Sequence, residues 1–257
     1  MAIVNVTPDS FSDGGVRFDP QQAVDDGLRF VSEGADIIDV GGESTRPGSQ
    51  PVPEAEELRR VLPVVEGLAR HGIPISVDTR RAGVARVCLD AGARIVNDVS
   101  ALRDDPDMLP LVAERDAAVV LMHRRGEVDS RYEGPAYRDV VAEVGRFLME
   151  RAATGEAAGV GHRHIVLDPG VGFGKTPEEN LALIAAAGEL GGGRYPVLIG
   201  TSRKGFIGRL TGVKEPRLRD PASIWLAVEA TRRGAAIVRV HDVAGTRQAL
   251  AVSAAMR

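Results

Sequence analysis

The chain has one cysteine in 257 residues, Cys88, so there is no disulfide framework and no CxxC metal or redox pair. Cys88 stands among Val84, Val87 and Leu89 and reads as a small buried hydrophobe. Such scarcity of cysteine makes a reducing, cytoplasmic compartment the expectation. No apolar run is long enough to span a membrane and no secretory signal is legible, so no membrane partner is expected. Positive charge is not in excess: 32 Lys and Arg face 36 Asp and Glu, a net charge of −4, which argues against a general nucleic-acid binder. No G-x-G-x-x-G follows the first apolar run, which weighs against the alternative fold, a doubly wound open sheet. No linker or low-complexity stretch divides the chain, and a single domain over 1–257 is expected.

Hydrophobic residues make up 44% of the chain and charged residues 26%, enough for a large core. Eight short β-branched runs recur at 3–6, 37–40, 75–77, 95–97, 119–122, 165–167, 197–199 and 237–240. They are near-continuously apolar, as parallel strands buried on both faces require. Helical patterns fall between and after them, at 20–33, 53–70, 81–91, 105–114, 138–158, 177–187, 220–233 and 243–256. A glycine precedes four of the strands: Gly34, Gly72, Gly92 and Gly234. Eight strands alternating with eight helices predict an α/β fold, a single (β/α)8 TIM barrel.

In such a barrel the chemistry sits where strands end. Strand 1 ends in Asn5 and a polar loop, strand 2 in Gly42-Glu43-Ser44-Thr45-Arg46-Pro47-Gly48, and strand 3 in Asp78-Thr79. Strands 4 and 5 end in Asn97-Asp98 and Met122-His123, and strand 6 in a segment from Asp168 to Lys175. Strands 7 and 8 end in Ser202-Arg203-Lys204 and Arg239-Val240-His241-Asp242. One such Asp is commonly a helix cap, but eight coinciding polar ends are hard to explain by capping. Asp78, Asn97, Asp168 and Lys204 form a donor-and-acceptor set suited to a flat heterocycle with amide and amino edges, with Met122 and Phe173 as apolar walls. Asn5, Arg46, Arg239 and His241 form a second set suited to phosphate or pyrophosphate. Asn5 and Asp9 offer oxygens for a hard cation such as Mg²⁺. His71, His162 and His164 fall near helix ends and read as surface residues.

These segments, together with Asn5-Val6-Thr7-Pro8-Asp9-Ser10-Phe11-Ser12-Asp13-Gly14-Gly15 at the start of the chain, resemble the dihydropteroate synthase family over essentially the whole length. The resemblance implies a transferase of folate biosynthesis that condenses 6-hydroxymethyl-7,8-dihydropterin pyrophosphate with p-aminobenzoate, giving 7,8-dihydropteroate and pyrophosphate by an SN1-like route. It implies that Asp78, Asn97, Met122, Asp168, Phe173 and Lys204 hold the pterin. Phe11, Thr45, Arg46, Pro47 and Ser202 would shape the p-aminobenzoate pocket. Asn5, Arg46, Arg239 and His241 would bind pyrophosphate, with Asn5 also on Mg²⁺. Asp78, Asp168, Lys204 and Arg239 would carry the catalysis, and the loops after strands 1 and 2 would be mobile when empty. It also implies sulfonamide inhibitors, since Gly172-Phe173 runs into Gly174 without the insertion of resistant relatives, and a homodimer through late helices. Gly205 stands where serine is common in the family, and Arg124-Arg125 is more basic than usual. The alternatives are a pterin-binding methyltransferase barrel and a non-catalytic pterin-binding paralogue. The methyltransferase would have no need of Phe11, Arg46 or the Arg239–His241 anion site, and the paralogue would be marked by damaged first and second loops, which are intact in this sequence.

Overall fold

Each of the eight β-branched runs forms a strand, and every strand runs parallel to its neighbours. The structure is a computed structural model that describes residues 1–7, 19–44, 51–126 and 137–256. In chain order the first half is β1 (Ala2–Asn5), α1 (Pro20–Ser32), β2 (Ile38–Gly41), α2 (Glu54–Ala69), β3 (Ile75–Asp78), α3 (Ala82–Asp90), β4 (Ile95–Asp98) and α4 (Met108–Glu114). The second half is β5 (Ala118–Met122), α5 (Val140–Ala157), β6 (Ile165–Asp168), α6 (Pro177–Ala185), α7 (Ala187–Leu190), β7 (Leu198–Ile199), α8 (Gly205–Thr211), α9 (Asp220–Arg232), β8 (Ile237–Val238) and α10 (Val243–Ala255).

Strands β1 to β6 form one sheet and β7 pairs with β8. Bridges from Leu167 to Val197 and from Ala2 to Val240 join the two pieces. The seam next to β1 is hydrogen-bonded, Ile3 N donating to Val240 O at 3.0 Å and Val240 N to Met1 O at 3.0 Å. The ring is thus closed, and the open-sheet alternative is set aside. The glycines before the strands, Gly34, Gly72, Gly92 and Gly234, all take left-handed φ values of 69° to 113°, which end the preceding helix.

Alternation along the strands sorts the side chains into two faces. One set, with Val4, Val40, Val77, Val96, Val119 and Ile165, packs under the helices in the main core. Each such fully buried side chain contributes about 1.5–3 kcal/mol. The other set lines the inside of the barrel. Its lower layer is apolar: Val120 and Leu198 are buried with Ile37, Ile95, Val166 and Ile237 packed on them. Two residues further along these strands, and at the matching place on β3, the interior turns polar, with Asp39, Asp78, Asn97, Asp168 and Arg239 around the apolar Met122. The strands therefore present an oily base and, above it at the C-terminal end, a charged layer that forms the floor of the site.

Helix starts follow their caps. Asp19, Asp139 and Asp242 accept from backbone N–H groups at the starts of α1, α5 and α10, and Thr176 with Glu179 makes a capping box on α6. The structure has ten α-helical elements among the described residues, against eight expected. The stretch expected at 177–187 breaks at Ala186, where φ is −93° and ψ 14°, and α7 follows. The other addition, α8, was obscured because Gly205, Gly208 and Gly212 punctuate it; burial of Phe206 and Ile207 holds it. Cys88 is fully buried, and burial pushes its thiol up to about 12. His71 and His162 are exposed and His164 is partly so. No helix among the described residues is long and apolar enough to cross a membrane.

Candidate active site

The charged layer is built by register. Asn5, Gly41, Asp78 and Asn97 are Cα partners on four consecutive strands, so their side-chain positions lie at one height inside the ring. Gly41 contributes no side chain there, and a Cβ added to it would already meet Asp78 Cβ at 3.4 Å. Arg239 reaches across from β8. Its Nη1 donates to Asp39 Oδ2 at 2.7 Å and to Asp78 Oδ2 at 3.0 Å. Asn97 Nδ2 donates to the same Asp39 oxygen at 3.1 Å. Asp39 Oδ1, Ser76 Oγ and Arg239 Nε are buried and have no partner among the described residues. A ligand with both donors and acceptors suits a layer with such spare groups.

The electrostatics follow from burial. Asp78 has its carboxyl pushed up, first by burial and then by Asp39, with Arg239 pulling the other way. Burial would lower Arg239, but Asp39, Asp78 and Asp168 outweigh it and raise the guanidinium further. Asp168 is raised by burial, against the pull of Arg239, the Gly170 N–H, Lys204 and Lys175. Its Oδ1 accepts from Gly170 N at 2.7 Å. Asp98 instead holds the backbone, accepting from Ser100 N at 2.7 Å and Leu102 N at 2.8 Å, and so ties the turn after β4.

The apolar walls adjoin this layer. Met122 is buried with Val99, and Phe173 packs against them. Lys204 Nζ lies 4.2 Å from the centre of the Phe173 ring, a cation–π contact that puts it beside the loop after β6. Ser202 and Lys204 flank Arg203, whose φ of 59° is left-handed and strained for a residue with a side chain. That turn is clamped: Arg203 Nε and Nη2 donate to Asp220 at 2.8 and 2.7 Å, its N to Ser223 Oγ at 3.0 Å, and Arg219 Nη1 to its carbonyl at 3.1 Å.

A second group lies at the rim. Ser202 Oγ is 2.9 Å from His241 Nδ1 and accepts from His241 N at 3.1 Å, while Asn5 Nδ2 lies 3.5 Å from His241 Nε2. The sequence grouped Arg239 with this set. The structure places its Nη1 on the carboxylates below, in the polar layer. Phe11, Thr45, Arg46 and Pro47, the loop mobility expected after strands 1 and 2, and Asp9 lie outside the described residues. No group of three or more His, Cys, Asp or Glu that could hold a metal ion occurs among the described residues.

Some participants were not singled out from sequence. Asp39 was legible as a lone acid inside the apolar run 37–40, and a buried acid in a strand needs a partner. The Arg81 hub was less legible. Arg81 Nη1 binds Glu43 at 2.5 Å and also Glu57, and Nη2 donates to Val52 O at 2.7 Å. Arg81 therefore ties both flanks of the segment 45–50. Arg124 binds Asp104 at 2.5 and 2.6 Å, which gives one of the extra basic residues after β5 a partner.

Comparison with known proteins supplies the identity. The profile of pterin binding enzymes matches residues 1–241. A dihydropteroate synthase of Mycobacterium leprae is 50% identical over 98% of this chain and 91% of its own length. The chain belongs to the dihydropteroate synthase family of pterin binding enzymes. A Xanthomonas albilineans dihydropteroate synthase solved with 4-aminobenzoic acid superposes with a TM-score of 0.92 at 50% identity, covering 99% of this chain and 91% of that one. A Yersinia pestis dihydropteroate synthase solved with a sulfonamide drug gives 0.93 at 42% identity, covering 100% and 93%. The fold is accordingly the barrel of this family. The reaction is the dihydropteroate synthase one: a transferase joins the dihydropterin methylene to the amine of p-aminobenzoate and releases pyrophosphate.

Proposed function

We propose that the polar layer inside the barrel is the pterin site, that the rim is the pyrophosphate site, and that bond exchange takes place between them. The observation that carries this is the gathering of Asp39, Asp78 and Asn97 about Arg239, whose charge also acts on Asp168, with the Met122 and Phe173 walls beside them and an apolar base beneath. Asp168 presents a carboxylate edge to the amino and amide groups of the heterocycle, and Lys204 donates to its carbonyl. The negative charge that Asp78 and Asp168 carry when deprotonated stabilises positive charge as it develops on the exocyclic carbon. The C–O bond breaks and its electron pair leaves with pyrophosphate. The amine lone pair of p-aminobenzoate then forms the C–N bond, and its proton departs to solvent or to the leaving group. The pocket for p-aminobenzoate is assigned to Phe11, Thr45, Arg46, Pro47 and Ser202, and sulfonamides compete there.

Arg46 and His241 receive the leaving group at the rim, with Asn5 alongside, while Arg239, held on Asp39 and Asp78, adds its positive charge from below. Asn5 stands half-buried at the end of β1, and its amide nitrogen faces His241. The amide oxygen fits a single-ligand contribution to Mg²⁺, whose other ligands would be pyrophosphate oxygens and water. When bound, Mg²⁺ lowers the charge that departs with pyrophosphate. A homodimer is supported by exposed apolar groups late in the chain, Leu218, Trp225 on α9 and Val252 on α10, at 62–68% exposure.

The direct test is a pyrophosphate-release assay with the dihydropterin pyrophosphate, with and without p-aminobenzoate. Release that matches dihydropteroate formation mole for mole supports the reading, and no release with both substrates present contradicts it. A methyltransferase barrel or a non-catalytic paralogue would give none. Excess chelator should abolish turnover, and sulfamethoxazole should compete with p-aminobenzoate.

A further inference from the structure

The chain has three lysines, Lys175, Lys204 and Lys214, against 29 arginines. One of the three, Lys175, is buried at 7% exposure behind the loop after β6, where the proposed mechanism gives it no work. Four acceptors converge on its ammonium: Gly170 O at 2.9 Å, Phe173 O at 3.1 Å, His123 Nδ1 at 3.1 Å and His123 O at 3.4 Å. The loop is pressed tightly against the end of β5. Gly170 has φ of 66°, and a Cβ there would fall 1.8 Å from His123 O. Gly170 O also accepts from Phe173 N at 3.1 Å, closing the turn that carries the Phe173 wall. On its other side Gly172 N donates to Asn180 Oδ1 at 2.7 Å.

We propose that Lys175 is a positioning residue for the pterin pocket: its ammonium gathers the carbonyls of Gly170, Phe173 and His123, sets the Phe173 wall and the Asp168 edge, and couples its own protonation to pterin binding. The proposal rests on the pterin reading given above. Three carbonyls and an imidazole nitrogen call for a group with three donors and no acceptor, which only the protonated amine provides. Deprotonation leaves two donors and turns a lone pair toward oxygens, so the loop loses a tie.

The surroundings keep that equilibrium close to neutrality. Burial lowers Lys175 to about 7, with Asp168 and Glu179 pulling it up and Lys204 and Arg125 pushing it down. His123 remains the neutral acceptor, because burial, Lys175 and Arg103 lower it to about 3. The His123 ring is fixed edge-on against Phe147, 4.8 Å between centres.

The scarcity of lysine makes the experiment clean. The full chain, grown on lysine labelled with ¹³C at Cε, gives three signals, assigned with Lys204→Arg and Lys214→Arg. The Lys175 midpoint is read with and without neutral 6-hydroxymethylpterin. By reciprocity, a tenfold preference of pterin for the protonated state moves that midpoint up by about one pH unit. A midpoint that pterin leaves in place overturns the proposal. In parallel, Lys175→Met is expected to lose about tenfold in affinity for 6-hydroxymethylpterin while the KM for p-aminobenzoate stays within about twofold. Its thermal midpoint is measured alongside, and if it does not fold, the labelled wild-type titration alone decides. Wild-type pterin affinity in a folded Lys175→Met protein also overturns the proposal. Asp168→Asn separates the two claims: if it binds pterin normally the pocket reading fails, and if it alone loses pterin only the role of Lys175 fails.

Discussion

The floor and the rim of the site are built by opposite means. In the floor, Arg239 is shared between Asp39 and Asp78 and Asn97 completes the set, all inside the ring, with Asp78 alone partly open to water. At the rim, Asn5, Ser202 and His241 are joined by contacts of 2.9 to 3.5 Å, and Asn5 and His241 are half-exposed. A flat, uncharged heterocycle can be read only by fixed donors and acceptors in a dry place, because water would compete for every hydrogen bond. A pyrophosphate brings its own charge and counter-ions, and a looser, wetter set of groups can receive it and let it go. On the proposed reading, recognition belongs to the floor and departure to the rim.

The largest expected effect breaks the floor. Arg239→Met leaves Asp39 and Asp78 facing each other without their shared cation. Removing one partner of a buried pair costs about 3–5 kcal/mol. A thermal melt should show a fall of roughly 10 °C for a domain of this size, and an unchanged midpoint would show that the floor charges are not coupled. Next comes Asp168→Asn, which sets a donor against the amino edge of the pterin. The loss of a charged hydrogen bond, about 1.5–3 kcal/mol, should weaken a pterin analogue by tenfold or more in titration calorimetry.

Acid should weaken the floor side through His123. Its folded value, about 3, lies below the ordinary 6.5, so the unfolded chain binds more protons between those limits. Stability is then fully present above about pH 6.5 and is lost as pH falls toward 3, by up to about 1.4 kcal/mol per pH unit. Thermal midpoints of wild type and His123→Gln between pH 6.5 and 5 should diverge, with the wild type steeper; parallel curves would place the acid sensitivity elsewhere. The smallest effect is expected at the rim. Ser202→Ala frees the His241 ring of a single hydrogen bond worth about 0.5–1.5 kcal/mol. Pyrophosphate inhibition should weaken by no more than about tenfold and the melting temperature fall by no more than a few degrees, with pterin affinity unchanged.

What could be read from sequence divides along the same line. The strand ends were legible because parallel strands buried on both faces stop abruptly at Asp78, Asn97, Asp168 and Arg239. Asp39 was not singled out, since it lies inside its apolar run and only the closed ring shows it facing Arg239. The place of Arg239 depends on a contact between residues 200 positions apart, which no local pattern encodes. Lys175 was visible in the Gly-rich segment after Asp168, but its acceptors are backbone carbonyls and a ring nitrogen that sequence does not position. The two added helices follow from local breaks, one at Ala186 and one framed by glycines.

The account stands most directly on a crossed titration. Asp168→Asn and His241→Ala are each titrated with 6-hydroxymethylpterin and, separately, with pyrophosphate and Mg²⁺. The division of labour predicts that Asp168→Asn loses pterin by tenfold or more and keeps pyrophosphate, while His241→Ala weakens pyrophosphate and keeps pterin. Equal losses of both ligands in both variants, or pterin binding undiminished by Asp168→Asn, would contradict it.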